Sequence, residues 1–105
     1  MPEAASRLVW APAAKKDLRD IWRYFVNVAS PEVADRLLRD IVQAGEHARQ
    51  RPLTWRTRDD VLPGLRSVRV DPYVLFYRLK PGAVEVVRVV HERRNFADIF
   101  PSPKR

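Results

Sequence analysis

The hydrophobic positions between residues 65 and 90 alternate as they do in β-strands, and they fall into three runs. Val68 and Val70 alternate with polar neighbours, which is the period of a half-buried strand. Residues 73–79 and 84–90 are almost wholly apolar, with many β-branched and aromatic side chains. Strands that are apolar on both faces belong in the middle of a sheet that is covered on both sides. The pattern therefore predicts three strands at the centre of a small sheet.

Two short turns separate these runs. Asp71 and Pro72 separate the first run from the second, because proline fixes φ and has no N–H to donate to the hydrogen-bond ladder of a sheet. Residues 80–83 fit a type II turn, with Pro81 at the second position and Gly82 where φ must be positive. The spacing predicts a mainly antiparallel sheet.

The first half of the chain has a helical period instead. Apolar residues recur at i, i+4 and i+7 over residues 13–28, and charged residues occupy the other face. Ser30 and Pro31 restart the pattern as an N-cap and a first helical residue, and the second helix is predicted to end near Arg49. The short link makes the pair an antiparallel hairpin that needs an apolar sheet face to cover. Large aromatic residues of this half are expected to pack in the core and the hairpin: Trp10, Trp22, Tyr24 and Phe25.

The remaining segments complete an α+β domain. Residues 7–10 are a short strand candidate, residues 55–58 a fragment of strand, and residues 94–100 a helical turn or more. The predicted order is β-α-α-β-β-β, with a helical hairpin on a small sheet and a possible short C-terminal helix. At 105 residues the chain allows one domain, spanning residues 1–105.

Composition and charge indicate the cellular environment of the protein and the kind of partner it binds. The chain has no cysteine and no apolar run of membrane-spanning length, so we expect a soluble, cytoplasmic protein. The net charge is +7, and residues 49–105 carry all of the excess, with thirteen basic and six acidic side chains. A basic sheet half implies an acidic partner, either nucleic acid or protein, although a merely well-solvated surface stays possible.

Four segments, taken together and in order, resemble the RelE/ParE toxins. They are WAPAAKKDLRDIWRY at residues 10–24, PGLRS at 63–67, YVLFYR at 73–78 and VRVVHERRN at 87–95. The resemblance implies a toxin of a type II toxin–antitoxin pair. It also implies a cognate antitoxin, small, acidic and ParD-like, with a ribbon-helix-helix fold, that forms a hetero-oligomer with the toxin.

The two branches of the RelE/ParE toxins differ in their chemistry. RelE-like members are ribosome-dependent mRNA endonucleases, whereas ParE-like members are described as inhibitors of DNA gyrase. The RelE pattern supplies an arginine after the tyrosine of the middle strand and a tyrosine near the C-terminus. This chain has Val74 and Phe100 there, and a phenylalanine cannot exchange a proton. The sequence favours the ParE-like form, which implies DNA gyrase as the target.

No catalytic residue is expected in that case, and no metal, cofactor or membrane partner. In the ribonuclease alternative the candidates are His91, Arg66 and Arg78, with arginines around the phosphate. Each has a structural interpretation: His91 can instead form a hydrogen bond with a loop carbonyl, and the arginines can pair with Glu85, Asp71 and Asp98. A nucleic-acid-binding remnant is a third possibility.

The candidate target-binding residues lie in and after the last strand: Arg88, Arg93, Arg94, Phe96 and Phe100. Three apolar residues of the terminal segment, Phe96, Ile99 and Phe100, are too few to form a core of their own. This suggests that the segment is an exposed anchor that contacts the target. One helical hairpin also leaves one apolar sheet face open, and we expect the antitoxin there. Residues 101–105 are expected to be dispensable for folding.

Overall fold

The computed structural model of the chain describes residues 4–100, which form a five-stranded sheet with two long helices on one face. The elements in chain order are β1 (Arg7–Trp10), α1 (Pro12–Val28), α2 (Pro31–Gln50), β2 (Arg56–Thr57), β3 (Leu65–Val70), β4 (Tyr73–Lys80), β5 (Ala83–His91) and α3 (Phe96–Ile99). The strand order is β1-β5-β4-β3-β2, with β1 parallel to β5 and the other neighbours antiparallel. The predicted α+β class, including the hairpin and the short C-terminal helix, is confirmed.

The helical hairpin packs on the sheet through small and branched side chains. Ser30 Oγ accepts a hydrogen bond from the Val33 N–H at 3.1 Å, and Pro31 is the first residue of α2, as the sequence predicted. The buried stripe of the two helices consists of Ala14, Ile21, Ala34, Ile41, Ala44 and Ala48. These short side chains let both helices approach the apolar strands closely.

Gly45 lies inside α2, where glycine costs up to about 1 kcal/mol relative to alanine. A Cβ at this position would lie 3.0 Å from Cζ2 of Trp10, which is closer than such contacts normally come. Trp10 belongs to β1 at the edge of the sheet. The missing side chain therefore lets the indole of β1 lie against the helix.

The opposite face of the sheet has a core of its own. Within β4, Tyr73, Leu75 and Tyr77 pack under the hairpin, whereas Val74 and Phe76 belong to the second cluster. The other members of that cluster are Leu65, Val90 and Phe100, with Val61, Leu62, Val87, Phe96 and Ile99 partly buried around them. The expectation that one apolar sheet face is left open for a partner is therefore wrong.

The second core depends on the short helix α3. Asn95 Oδ1 accepts a hydrogen bond from the Ala97 N–H at 3.1 Å and so starts the helical turn. Phe96 and Phe100 then meet Phe76 edge to face, with ring centroids 4.9 and 5.0 Å apart. The apolar residues of the terminal segment do not form a core by themselves. They pack instead on the apolar face that the sheet already presents.

The loop and turn predictions are also tested by the structure. β2 lies within the predicted fragment and pairs with Arg66 and Ser67 of β3. The hydroxyl of Tyr77 donates to the carbonyl of Pro52 at 2.6 Å and holds the start of this connection. Gly82 has a φ of 69°, which confirms its predicted place in the turn.

We expect Phe100→Ala to lower the free energy of unfolding by about 3 kcal/mol, because removing a buried aromatic ring leaves a cavity. Phe100 is 9% exposed, whereas Tyr24 is 57% exposed and provides the matched control as Tyr24→Ala. The control should cost less than about 1 kcal/mol. Urea unfolding followed by circular dichroism measures both, and equal losses would contradict a second core. The predicted deletion of residues 101–105 lies outside the described residues and stays a prediction.

Candidate functional site

The structure does not bring the three candidate catalytic residues together. Arg66 lies opposite Tyr77, and its Nη1 donates to the carbonyls of Trp55 at 2.8 Å and Leu53 at 3.3 Å. Its guanidinium therefore holds the turn that follows α2. Arg78 is the next residue after Tyr77 on β4, so its side chain leaves the sheet on the other face.

Arg78 is paired with an acidic neighbour, as one of the two interpretations predicted. Its Nε donates to Glu85 Oε1 at 2.7 Å, and the Nζ of Lys80 lies 3.5 Å from the same oxygen. The hydrogen bond from Arg78 is the main cause that lowers the pKa of Glu85 below its ordinary value. The glutamate therefore stays ionised and keeps Arg78 engaged.

His91 is also engaged within the fold. Its Nδ1 accepts a hydrogen bond from the Arg93 N–H at 3.1 Å, which leaves Nε2 as the remaining ring nitrogen. The ring meets Tyr73 edge to face at 5.5 Å, on the side of the helical hairpin. His91 therefore has a structural contact in the turn after β5, with a backbone N–H as its partner in place of the loop carbonyl that was expected.

The sheet tyrosines do not supply a proton-transfer group near neutral pH. Burial raises the pKa of Tyr77 to about 12, and its hydroxyl already donates to Pro52. Burial, followed by the neighbouring Tyr24, also raises the pKa of Tyr73. Both phenols therefore remain protonated under physiological conditions.

Arg88 connects β5 to α1. Its Nε and Nη2 donate to the two carboxylate oxygens of Asp17 at 2.8 and 2.9 Å, and the Val89 N–H donates to the same carboxylate at 2.8 Å. The hydrogen bonding of Arg88 to the Asp17 carboxylate is the main cause that raises the pKa of Arg88. Asp17 was not singled out from the sequence, because its partners lie more than seventy residues away.

The other candidate target-binding residues separate into two groups. Phe100 is buried, and Phe96 is half-buried against Phe76. Arg93 and Arg94 are exposed in the turn between β5 and α3, and their side chains form no ion pair within residues 4–100. The side chains of the two arginines are therefore accessible at the protein surface.

A cleft that sequence reasoning missed opens on the α3 side of the sheet. It has a volume of about 510 Å³. Its lining, which we call the arginine cleft, consists of Trp55, Arg56, Arg58, Ser67, Val68, Arg69, Val74, Glu92 and Phe96. The available signal is the alternation of Ser67 and Arg69 with valines, a pattern that by itself predicts only the solvent-facing side of a strand. The packing of α3 turns that side into a cleft wall.

A second concavity lies on the outer face of the hairpin. It has a volume of about 360 Å³ and is lined by Leu18, Arg19, Trp22, Arg23 and Leu38, which we call the hairpin groove. Trp22 is 39% exposed, which differs from its predicted place in the packing. Its indole N–H donates to Asp35 Oδ1 at 2.9 Å, so the ring is fixed across both helices.

Across residues 4–100 no three or more His, Cys, Asp or Glu side chains group as metal ligands. None of the helices in that span is long and apolar enough to cross a membrane.

The comparison with known proteins identifies the family. A sequence profile described as the ParE toxin of the type II toxin–antitoxin system parDE matches residues 8–96. The chain belongs to the ParE toxin family. It is therefore a toxin of a type II toxin–antitoxin system, as the resemblance implied. The matched span covers every strand of the sheet except the first residue of β1.

Named relatives include both branches of the RelE/ParE superfamily. The chain is 33% identical over 90 residues to toxin ParE1 of Mycobacterium tuberculosis, covering 85% of this chain and 92% of that one. It is 35% identical over 86 residues to toxin RelE3 of Caulobacter vibrioides, covering 79% and 92%. A solved structure of the chromosomal ParDE toxin–antitoxin system from P. aeruginosa aligns with a TM-score of 0.74 and 25% identity, over 83% of this chain and 96% of that one.

For this ParE-family toxin we expect Asp17→Ala to lower the free energy of unfolding by about 2 kcal/mol. The substitution leaves the Arg88 guanidinium and the Val89 N–H without their partner in a partly buried place. Asp20→Ala is the matched control, since Asp20 is half exposed and pairs with Lys16 on the same helix. Chemical denaturation of both variants decides the matter, and a control loss as large as that of Asp17→Ala would contradict this role.

Proposed function

We propose that this ParE-family toxin acts by binding and inhibiting DNA gyrase in the cytoplasm, without catalysing a reaction of its own. The observation that carries the proposal is the dispersal of the possible catalytic groups. Arg66, Arg78 and His91 are each tied to a different part of the fold. General acid–base chemistry requires groups within hydrogen-bond reach of one substrate, and this arrangement does not supply them.

The position that carries an arginine in the RelE pattern supports the same proposal. Val74 occupies it and lines the floor of the arginine cleft. Phe100, near the C-terminus, is buried against Phe76 and has no group that could transfer a proton. A phosphorane formed in that cleft would lack the arginine at this one position and the tyrosine proton donor that the RelE pattern provides.

The exposed arginines after β5 are the proposed target-binding residues. Arg93 and Arg94 protrude where the last strand ends, and arginine is frequent among interface hot spots. Phe96 lies on the cleft side of the same turn. Arg88 and Phe100 contribute by holding this turn on the sheet, through Asp17 and Phe76 respectively.

We expect Arg93→Glu combined with Arg94→Glu to weaken inhibition of gyrase supercoiling at least tenfold, because four units of charge change at the proposed contact. Arg36→Glu with Arg39→Glu makes the same charge change on α2, where both residues are exposed, and should alter inhibition less than threefold. His91→Gln keeps a hydrogen-bonding side chain and should also stay within a few-fold.

The supercoiling assay uses purified toxin, purified gyrase and relaxed plasmid, with melting curves recorded for every variant. Absence of inhibition by the parent protein would overturn the gyrase proposal. A loss of several hundred-fold in growth inhibition for His91→Gln, with an intact fold, would favour a catalytic role, since general acid–base groups contribute about 10²–10⁴-fold. Primer extension on translated mRNA then tests the RelE-like alternative, which the arginines of the cleft favour.

The same proposal includes neutralisation by a small acidic antitoxin of the ParD-like, ribbon-helix-helix type. With the second sheet face already covered, the hairpin groove is the better place for it. Apolar Leu18, Trp22 and Leu38 suit the apolar stripe of a helix, and Arg19 and Arg23 suit its acidic residues. The antitoxin would thus bind as an amphipathic helix and form a hetero-oligomer with the toxin.

We expect Trp22→Ala to weaken binding of the antitoxin at least tenfold, because a fixed tryptophan in a groove is a typical hot spot. Tyr24→Ala is the control, since it removes an aromatic ring from α1 outside the groove. Calorimetry with the product of the adjacent reading frame measures both. Unchanged binding by Trp22→Ala would exclude the groove, whereas failure to bind the parent toxin would exclude that product as the antitoxin.

A further inference from the structure

The two most exposed large hydrophobic side chains of residues 4–100 lie on one helix. Val28 is 58% exposed and Tyr24 is 57% exposed, both in the C-terminal half of α1. Because residues at i and i+4 are neighbours on the surface of a helix, the two side chains form one stripe. Tyr24 was predicted to pack in the core or the hairpin, and its exposure corrects that prediction. Single exposed apolar residues are ordinary, whereas a stripe bordered by charges indicates a contact surface.

The position of this stripe in the fold follows from a chain of aromatic contacts. The Tyr24 ring meets that of Phe25 edge to face at 5.0 Å, and Phe25 meets Tyr73 at 6.4 Å. Tyr73 starts β4 and is the register partner of His91, the last residue of β5, whose ring lies 5.5 Å away. The C-terminal half of α1 therefore lies beside the end of β5.

The spacing along α1 gives the same position. Asp17, Tyr24 and Val28 occupy positions i, i+7 and i+11, which lie on one face of a helix. Asp17 accepts the Val89 N–H, two residues before the end of β5. Two helical turns cover about 11 Å, whereas two strand residues cover about 7 Å, so Tyr24 lies just past the end of the strand.

Two free cations lie at the same end of β5. The Arg93 N–H donates to Nδ1 of His91 at 3.1 Å, so the turn that carries Arg93 and Arg94 starts directly beside the histidine ring. Both arginines are exposed and form no ion pair among the described residues. Aromatic side chains and arginines supply most hot spots of protein–protein interfaces, and here both kinds lie around the end of one strand.

The chemistry of this surface fits a protein partner better than a nucleic acid. Carboxylates of a partner can pair with Arg93 and Arg94. The Val28 side chain neither forms hydrogen bonds nor stacks on a base, so it gains free energy only when another apolar group excludes water from it. The Tyr24 ring adds a large, rigid apolar surface with a polar tip, which is typical of protein interfaces. The matching partner surface is therefore an apolar depression bordered by acidic side chains.

We propose that the target contacts the chain along one surface from Arg93 and Arg94, past His91, to Tyr24 and Val28, which we call the arginine–tyrosine face. The ring of Tyr24 enters an apolar depression of the target protein, and the two arginines pair with its acidic rim. The proposal rests on the proposed function for the identity of the target. The residues that line the hairpin groove lie elsewhere on α1, so the antitoxin and the target contact different faces of that helix.

The test compares inhibition of gyrase supercoiling by variants at two exposed helical valines. Val28→Gln should weaken inhibition about fivefold, because the burial of an apolar side chain is lost. Val42→Gln makes the same change on α2, at a valine that is 46% exposed, and should alter inhibition less than twofold. Tyr24→Ala should weaken inhibition about tenfold, whereas Tyr24→Phe keeps the ring and should stay within about threefold. Unchanged inhibition by both Val28→Gln and Tyr24→Ala would overturn the proposal.

Growth inhibition on induced expression, measured for the same variants, separates this proposal from the identity of the target. If the parent toxin does not inhibit gyrase, the proposed function fails. Loss of growth inhibition for Val28→Gln but not for Val42→Gln would then still support the arginine–tyrosine face as the contact with another protein target. Equal growth inhibition by these two variants would overturn the face itself.

Two binding measurements test the other possible occupants. Calorimetry with the product of the adjacent reading frame should give the parent affinity for Val28→Gln and Tyr24→Ala, and a loss of about tenfold would overturn the proposal in favour of an antitoxin contact. Anisotropy of a labelled DNA duplex should not distinguish Tyr24→Ala from the parent, and a similar loss there would overturn it in favour of nucleic acid. Both residues are more than half exposed, so each variant should melt close to the parent. If Tyr24→Ala fails to fold, Val28→Gln decides the matter.

Discussion

A central strand that is apolar on both faces is the constraint on which this structure depends. Residues Tyr73 through Tyr77 of β4 are all buried, so the sheet is stable in water only when each face has its own cover. The helical hairpin covers one face. A loop and a single helical turn cover the other, with Phe96 and Phe100 around Phe76. A chain of this length has few residues left for a second layer, and the cover is correspondingly thin.

The second constraint is the unpaired backbone at the edge of the sheet, where Asp17 accepts a hydrogen bond. β1 pairs with β5 only as far as Trp10 and Val86, after which the chain turns into α1. The register of β5 on β4 then shifts at Val87, and the remaining part of β5 has no neighbouring strand on that side. A carboxylate from α1 accepts the Val89 N–H at this edge. Because Asp17 also binds Arg88, the same contact fixes the helix and the strand together and blocks pairing with a foreign strand.

Local sequence patterns were sufficient to predict the helices, strands and turns, but they were not sufficient to predict the candidate functional site. Serine and proline at the start of α2, and Gly82 in the last turn, act through adjacent backbone atoms, so the sequence predicts them directly. The pairing of Arg88 with Asp17 joins residues from opposite ends of the domain, and no local period encodes it. The arginine cleft was missed for a related reason. Ser67 and Arg69 have the alternation of an exposed face, and only the folding back of α3 encloses them.

The placement of the arginines connects the charge of the chain with its chemistry. Arg78 and Arg88 pair with the carboxylates of Glu85 and Asp17, which offset their charge at close range, whereas Arg66 donates to backbone carbonyls and keeps its full charge. Arg56, Arg93 and Arg94 form no ion pair among residues 4–100. Because β3 and β5 run in the same direction, the turn that carries Arg93 and Arg94 lies at the same end of the sheet as Arg69. That end therefore carries unpaired cations at a cleft with an aromatic wall, while the apolar hairpin groove lies on the opposite side of the sheet. In the proposed function these two surfaces serve different partners: the hairpin groove binds the antitoxin mainly by apolar burial, and the exposed arginines after β5 bind the target mainly by charge.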